Sequence, residues 1–313
     1  MAGKRKDIYK VRNWSTYNEC LVQRGSIILW FNEEARGQWL HTDPPSKRGH
    51  PFVYSHIAIT CLLVVRELFR LPYRQLEGLA RSIMQCLGLD LPVPDYTTLA
   101  KRAARLGAAL KVRPRRGPID VVVDSTGLKV YGEGEWRVRQ QGKSRRRTWR
   151  KVHLAVDPAT QEIVAEVLTD PRSDDASQVE ELLEQVPARV RRFYGDGAYD
   201  QRKVYWSLGR RGAEGVIPPR RGARIERHGN CTGPPLARDV AIRGVRDLGR
   251  RRWKSCVGYH RRSLVETAVS RLKGTFGDRL KNRVFATQRT EIRLRCEILN
   301  RFTQLGLPRF EWV

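Results

Sequence analysis

The composition of the chain changes near residue 115, and this change constrains the fold more than any other feature of the sequence. Residues 111–118 read Lys-Val-Arg-Pro-Arg-Arg-Gly-Pro, a basic segment with two prolines and no apolar periodicity. Such a segment is typical of a linker. Directly after it, Ile119 to Val123 are rich in β-branched residues and are typical of a buried strand. We therefore predict two domains, residues 1–115 and residues 116–313.

The first domain is predicted to be mainly helical. Apolar residues recur at helical spacing from Ser55 to about Leu71, over Tyr73 to Leu87 and from Tyr96 to about Leu110, and Asp95 is placed to cap the third helix. A Gly/Pro break joins the second and third helices, and the third is basic. This pattern suits a helix-turn-helix that reads DNA. A small helical bundle that mediates self-association has the same pattern.

The second domain alternates strands and helices. Its predicted helices begin near residues 173 and 201, and a further helix carries Glu266. Its predicted strands are residues 119–124, 149–157, 162–169, 192–196 and 214–218. This order favours a mixed sheet covered by helices, so we assign the chain to the α/β class with a helical N-terminal domain.

The charge of the chain indicates a polyanionic partner. Its 60 Lys and Arg outweigh 33 Asp and Glu, which gives a net charge of +27. An excess of this size favours nucleic acid or an anionic membrane surface. A membrane is disfavoured because the longest apolar run, residues 57–65, is about half the ~20 residues that span a bilayer. Nucleic acid is therefore the predicted partner.

The cysteines and the N-terminus favour a cytoplasmic location. The 6 cysteines are widely scattered and include no CxxC pair, which disfavours both structural zinc and a disulfide framework. The first seven residues do not lead into a signal-peptide core. A reduced, cytosolic setting fits both observations.

Two aspartates stand out because each follows a hydrophobic strand. Asp124 closes Val121-Val122-Val123, and Asp196 closes Phe193-Tyr194-Gly195. Strand ends in open sheets are where ligand sites collect, and the small residues that follow let a bulky substrate approach. Taken alone, each aspartate is equally typical of a turn that ends a strand.

Four other acids are interpreted as structural. Asp120 opens its strand, and Asp157 precedes Pro158 as a turn residue. Asp174 and Asp175 lie at a helix N-terminus, where they would act as capping residues.

A third acid, Glu266, lies in a distinctive segment. Tyr259, Arg262 and Lys273 stand at offsets −7, −4 and +7 from it. On one α-helix all four would fall within roughly 40° of one line, so a carboxylate would share a face with three phosphate-seeking partners. The alternative is a solvated amphipathic helix with an Arg–Glu pair at i, i+4.

These three acids suit phosphodiester chemistry. Cleavage needs the attacking and leaving oxygens neutralised together, and two Mg²⁺ ions held by carboxylates about 3.5–4 Å apart achieve this. Mg²⁺ prefers oxygen ligands, so two or three acids suffice without His or Cys. Other chemistries find little support, because the sequence has no GxxxxGK[ST], HExxH or GxSxG motif.

At these residues the sequence resembles a known family. Tyr259, Arg262, Glu266 and Lys273 match the Y-(2)-R-(3)-E-(6)-K signature of bacterial insertion-sequence transposases of the IS4/IS5 superfamily. The segments Val123–Thr126 and Tyr194–Asp200 resemble the first and second aspartate motifs of the same superfamily. The length and the short interval from Asp196 to Glu266 look most like the IS5 family.

The resemblance implies an RNase H-like fold and a DDE transposase. Asp124, Asp196 and Glu266 would hold two catalytic Mg²⁺ ions, for which Mn²⁺ is expected to substitute. Arg262 and Lys273 would contact DNA phosphates, and Tyr259 would pack or hydrogen-bond nearby. The enzyme would cleave double-stranded DNA at the terminal inverted repeats of an element and join the 3′-hydroxyl ends to target DNA. It would act as a homodimer and associate with the bacterial nucleoid when bound to DNA.

Basic residues outside the signature are further candidates for DNA contact. Residues 137–151 contain eight Lys or Arg and no acid, and a second basic run leads into the signature segment. A phosphate-tracking loop or a merely solvated face would both explain such runs. The predicted contacts are Arg145, Arg146, Arg147, Arg150, Lys151, Arg251, Arg252 and Lys254.

Two other functions remain open on the sequence alone. An RNase H-like nuclease, or a domesticated transposase, would cut DNA without integrating it. A non-enzymatic basic DNA-binding protein would carry vestigial acids, although intact acids at all three positions argue against this alternative.

Overall fold

The computed structural model describes residues 9–42, 53–107, 110, 112–130, 149–227 and 233–312. It divides the chain into two compact units, of which the first comprises Met1–Ala103 with Ile298–Val313 and the second comprises Ala104–Glu297. The predicted domain boundary at residue 115 remains a prediction, because compactness does not show whether a segment folds on its own.

The first unit is mainly helical and is built around buried apolar side chains such as Trp39, Leu62 and Leu76. Strand β1 Tyr9–Val11 pairs antiparallel with the C-terminal strand Phe310–Trp312. The helices of this unit are α1 Trp14–Gln23, α2 Glu33–Gly37, α3 His56–Phe69, α4 Tyr73–Cys86 and α5 Tyr96–Arg105.

The three helices predicted from periodicity are present, with ends that local chemistry explains. Helix α3 ends where Arg70 adopts a left-handed conformation (φ 54°) and Pro72 follows two residues later. Asp95 accepts the backbone N–H groups of Thr97 and Thr98, as a capping residue should. Helix α5 ends at Arg105, so the predicted end near Leu110 was wrong.

One part of the helix-turn-helix prediction was wrong, because a basic residue of its third helix is buried. Arg102, counted among the basic residues of α5, is buried, and its Nη1 donates to the Tyr54 carbonyl at 3.0 Å. Lys101 and Arg105 are exposed on the same helix. Whether these helices bind DNA or mediate self-association stays a prediction.

The second unit is built on a mixed sheet. Its strands are β2 Ile119–Val130, β3 Trp149–Val156, β4 Ile163–Thr169, β5 Val190–Tyr194 and β6 Glu214–Val216, followed by the short strand β7 Arg279–Leu280. Their order is β4-β3-β2-β5-β6, and β7 pairs with β2. Strands β2, β3 and β4 form an antiparallel meander, whereas β5 runs parallel to β2 and β6 parallel to β5.

Helices cover this sheet. Helices α6 and α7 pack over a core that includes Val121, Val123, Leu182 and Phe193. The helix that carries Glu266 packs instead on β2 and β3 through buried residues such as Val265. The helices from here to the C-terminus are α6 Val179–Gln185, α7 Arg202–Arg210, α8 Ala237–Leu248, α9 Arg250–Cys256, α10 Ser263–Phe276 and α11 Phe285–Leu305, of which α11 begins in the second unit and ends in the first.

The structure corrects the predicted end of the first strand. Ser125-Thr126-Gly127 resembled a turn after Asp124, but β2 continues to Val130. The reason is long-range, because β3 supplies antiparallel partners along this whole stretch, with Asp124 opposite Leu154. Asp124 therefore lies within the strand rather than at its end.

A mixed six-stranded sheet flanked by helices, preceded by a helical region, agrees with the RNase H-like fold expected from the sequence. Helices α8, α9 and α11 were not predicted from periodicity. In the part of the chain that the structure describes, no helix is both long enough and apolar enough to cross a membrane.

Candidate active site

Asp124 projects from the middle of β2 on the side of the sheet that carries α10, because alternate residues of a strand face opposite sides and Val121 and Val123 belong to the other face. Its Oδ1 accepts the backbone N–H of Ser125 at 2.8 Å, and its Oδ2 lies 3.2 Å from Nη1 of Arg262. The carboxylate is thus held in place by its own strand and by a partner 138 residues away in sequence.

Burial raises the pKa of Asp124 above its ordinary value, and this effect outweighs the Ser125 N–H and the Arg262 guanidinium, which lower it. The carboxylates of Asp196 and Glu266 raise the Asp124 pKa further. Electrostatic repulsion of this kind requires proximity, so the three acids singled out from sequence belong to one site.

Asp196 lies two residues beyond the end of β5 and begins a 3-10 turn, Gly197–Tyr199. Its Oδ1 accepts the backbone N–H of Ala198 at 2.8 Å, and this hydrogen bond holds the carboxylate at the N-terminal end of the turn. Gly195 makes this geometry possible, since a Cβ there would come within 2.9 Å of the Tyr199 ring. The backbone of β5 and the buried Tyr199 side chain together position Asp196.

Glu266 lies in the first turn of α10, and its side chain is about half exposed. It forms an ion pair with Nη2 of Arg262, while Nη1 of the same guanidinium reaches Asp124. Arg262 therefore bridges two of the three acids, of which Asp124 is 138 residues and Glu266 four residues away from it in sequence. This bridge is the central geometric feature of the site.

The signature residues do not share one α-helix, as the sequence had suggested. Tyr259–Arg262 forms a 3-10 turn that starts after Gly258, whose φ of 67° favours glycine, and the α-helix begins only at Ser263. The tighter turn still brings Arg262 to Glu266. Lys273 lies on α10 about 10 Å further along the helix axis, given a rise of 1.5 Å per residue.

Tyr259 lies among the same charges. Burial raises the pKa of its phenol, the Arg262 guanidinium lowers it, and the carboxylates of Asp196, Asp124 and Glu266 raise it. The ammonium of Lys254 lies 4.7 Å from the centre of its ring. Tyr259 therefore borders the acids, and Lys254 connects helix α9 to the site.

The predicted basic contacts differ in their surroundings. Arg145, Arg146 and Arg147 lie outside the described residues. Arg251 and Arg252 are exposed on α9, as a DNA contact requires.

Arg150 and Lys151 already have protein partners. Arg150 donates to Gln288, forms an ion pair with Asp170 and stacks on a ring of α11. The Lys151 ammonium lies 2.8 Å from Asp175. Nothing in these contacts tests whether either residue also binds DNA, so both assignments stay predictions.

Asp175 does not cap a helix as expected, and it contacts the side chains of His153 and Lys151 instead. Asp175 opens a 3-10 turn, and its Oδ1 lies 3.2 Å from Nδ1 of the fully buried His153. Burial raises the pKa of Asp175, but the neighbouring His153, Lys151 and Ser125 side chains outweigh burial and hold the pKa well below its usual range. Ser125 adjoins Asp124, so this network supports the strand next to the site. Only the position of His153 in an alternating strand hinted at it.

The other three acids set aside from sequence all have partners within the protein, and the capping role predicted for Asp174 was wrong. Asp157 accepts the N–H of Ala159 and pairs with Arg115 at 2.9 Å. Asp174 begins the 3-10 turn but makes no hydrogen bond to its backbone, and it pairs instead with Lys203. Asp120 is buried and pairs with two arginines.

The mixed sheet and the three neighbouring acids agree with the RNase H-like fold and the carboxylate site that the sequence led us to expect. Comparison with protein families agrees. A model described as "Transposase DDE domain" matches residues 115–301, and a second model of the same description matches residues 22–133. The chain belongs to the DDE transposase family, and it is a DNA transposase.

One solved structure is similar over most of the chain. It is described as "Crystal structure of the Mos1 mariner paired end complex with Mn". The two share 13% sequence identity, and the match covers 95% of this chain and 98% of the other, with a TM-score of 0.23. A score this low carries no argument about this chain.

Proposed function

We propose that this transposase cleaves DNA phosphodiester bonds at the ends of an insertion sequence and joins the resulting 3′-hydroxyl ends to target DNA. The single observation that carries the proposal is the Arg262 bridge between Asp124 and Glu266, with Asp196 close enough to perturb Asp124. Three carboxylates gathered around one cation are suited to holding divalent metal ions beside a phosphate.

The residues fit a pair of Mg²⁺ ions, for which Mn²⁺ is expected to substitute. As they stand, no three His, Cys, Asp or Glu side chains of the described residues form a ready metal site. The donor set is nevertheless appropriate, because Asp124, Asp196 and Glu266 offer hard oxygen ligands whose mutual repulsion a metal would relieve. When bound, such ions would lower the pKa of a water molecule and neutralise charge on the phosphate.

The protein side chains would then divide the remaining tasks. With Asp124 and Glu266 holding metal, Arg262 would no longer pair with them. The five N–H donors of its guanidinium would then hold a phosphate beside the acids. Tyr259 would border the bound strand. Lys273, Lys254 and the exposed Arg251 and Arg252 would contact phosphates farther from the cleaved bond.

The partner proposed is double-stranded DNA, both the terminal inverted repeats of the element and the target. Two ends must be joined in concert, so the active complex is proposed to be a homodimer. Membership of the IS5 family, a cytoplasmic location and association with the bacterial nucleoid belong to the same proposal. The helical domain, residues 1–115, is proposed to bind the DNA ends or to mediate dimerisation.

Incubation of the full-length protein with labelled element-end DNA and Mg²⁺ tests the proposal. Cleavage followed by joining to a target plasmid is the expected result. Cleavage without joining would instead support a nuclease or a domesticated transposase, and binding without cleavage would support a non-enzymatic DNA-binding protein. DNA flanking the coding region supplies the substrate if it carries inverted repeats.

A further inference from the structure

A basic cavity lies beside the proposed active site, at the start of β2. Its volume is about 440 Å³, and it opens to solvent. The arginines that line it come from the segment before β2, from β5 and from the 3-10 turn that carries Arg262. The residues used below are Arg115, Arg116, Arg191, Arg261, Asp120 and Asp157.

Asp120 organises two of these arginines. It is buried, and it accepts Nε and Nη2 of Arg191 at 2.8 and 3.0 Å and Nη1 of Arg261 at 2.8 Å. Pairing between β2 and β5 shifts register beside Asp120, so Arg191 has no register partner on β2. A guanidinium has five N–H donors, and Asp120 engages two on Arg191 and one on Arg261. Both guanidinium groups are therefore fixed in place with donors left over.

The charges of the cavity favour an anion. Four arginines line it against two aspartates, which leaves an excess of two positive charges. Arg115 is paired with Asp157 at 2.9 Å, whereas Arg116 is exposed. Fixed guanidinium groups with spare donors match the tetrahedral oxygens of a phosphate ester better than they match a cationic or apolar ligand.

The position of the cavity relates it to the site of cleavage. Asp120 precedes Asp124 by four residues on one strand, a separation of about 13 Å at ~3.3 Å per residue. Arg261 likewise adjoins Arg262 in the 3-10 turn. Successive phosphates of one DNA strand advance about 3.4 Å along the duplex axis, so 13 Å corresponds to at most about four nucleotides.

We infer that this cavity is a subsite that binds a DNA phosphodiester within about four nucleotides of the cleaved bond. The inference rests on the proposed function, because it takes the strand to pass Asp124. The alternative hypothesis is that Asp120 and its two arginines only hold the Tyr259–Arg262 turn against β2. Arg191 separates the two readings, since its loss leaves Asp120 paired with Arg261 and the turn still fastened.

The first test compares Arg191→Gln with Arg192→Gln in the full-length protein. Both arginines lie on β5, are partly exposed and pair with an acid at 2.8 Å, but Arg192 pairs with Glu214 and does not line the cavity. DNA affinity is measured by fluorescence anisotropy in EDTA over a range of salt concentrations, so cleavage is not required. Arg191→Gln should weaken binding about five-fold and flatten the salt dependence by about one phosphate contact, and Arg192→Gln should do neither. Equal effects of the two variants would overturn the subsite.

The second test locates the phosphate and distinguishes DNA from free phosphate. Uncharged methylphosphonate linkages are placed singly at each of the six positions on either side of the cleaved bond. Wild-type protein should lose about five-fold in affinity at one position within four nucleotides, and Arg191→Gln should lose almost nothing there. If inorganic phosphate alone stabilises the wild type while no methylphosphonate position is sensitive to Arg191→Gln, the cavity binds free phosphate and the inference is wrong.

These outcomes are independent of the proposed catalytic site. If Arg191→Gln behaves like Arg192→Gln while the wild-type protein cleaves and joins DNA, the subsite fails alone. If the protein binds DNA with the expected dependence on Arg191 but never cleaves it, the proposed reaction fails and the phosphate contact stands.

Discussion

Replacement of Arg262 by Gln should change how the protein responds to metal. The guanidinium neutralises Asp124 and Glu266, and its loss leaves three carboxylates repelling one another. Both side chains of the Arg262–Asp124 ion pair are mostly buried, since Arg262 is 21% and Asp124 24% exposed, whereas the Glu266 side chain is 52% exposed. We expect a loss of about 1–2 kcal/mol in unfolding free energy without metal, between the values for exposed and buried ion pairs.

The same bridge must be broken before a metal ion can bind Asp124 and Glu266. In Arg262→Gln this competition is absent, so Mg²⁺ should bind up to about ten-fold more tightly, since 1.4 kcal/mol corresponds to a factor of ten. Metal binding to the folded state alone raises its stability. Mg²⁺ should therefore stabilise the variant more than it stabilises the wild type, and it should recover most of the lost stability.

Thermal unfolding followed by circular dichroism measures both effects. For a unit of this size, 1–2 kcal/mol corresponds to a fall in Tm of roughly 2–8 °C without metal. A titration with MgCl₂ then compares the rise in Tm between wild type, Arg262→Gln and the control Arg192→Gln, whose ion pair with Glu214 lies on β5 and β6. The same metal-induced rise in all three proteins would refute the argument that Arg262 occupies the place of a cation.

Two further predictions concern the framework of the second unit. Burial raises the pKa of the Glu166 carboxyl to about 7, although the Arg293 guanidinium opposes this rise. This folded-state pKa lies above the unfolded value near 4.5. Glu166 therefore contributes stability that is complete below about pH 4.5 and is lost as pH rises through 7. The loss should amount to about 3 kcal/mol in urea unfolding, and Glu166→Gln should abolish it, whereas an unchanged pH profile in that variant would contradict the burial argument. Gly195→Ala should lower the unfolding free energy by about 1–3 kcal/mol and slow cleavage by displacing Asp196, because the added Cβ would press on the rings of Tyr199 and Phe193. The control is Gly209→Ala, which has open space around the added Cβ and should retain both stability and activity.

Local patterns in the sequence were sufficient to predict strands β2 to β6, helices α6 and α7, and the helix that carries Glu266. The β-branched run before Asp124 predicted a buried strand, and the order of strands and helices predicted a mixed sheet. The length of β2 could not be predicted, because Ser125-Thr126-Gly127 has the composition of a turn and only pairing with β3 keeps it extended. Short-range chemistry therefore identified the strand but not where it ends.

Contacts between residues far apart in sequence account for most of the features that could not be predicted. The sequence indicated Arg262 beside Glu266 through their i, i+4 spacing, but its contact with Asp124 spans 138 residues. The ion pair between Arg261 and Asp120 spans 141 residues and left no local trace, so Asp120 looked only like the start of a strand. The 3-10 turn before α10 depends on the left-handed conformation of Gly258, which helical periodicity does not report.

The most direct measurement of the central claim asks whether Asp124 itself ligates metal. Asp124→Cys replaces a carboxylate by a thiolate, which is a poor ligand for Mg²⁺ and a better one for softer divalent ions. This variant should bind element-end DNA as the wild type does, fail to cleave it in Mg²⁺ and regain cleavage in Mn²⁺, while Asp124→Ala should cleave in neither. Cleavage by Asp124→Ala, or equal cleavage by Asp124→Cys in both metals, would contradict the assignment of Asp124, Asp196 and Glu266 as the metal-binding site.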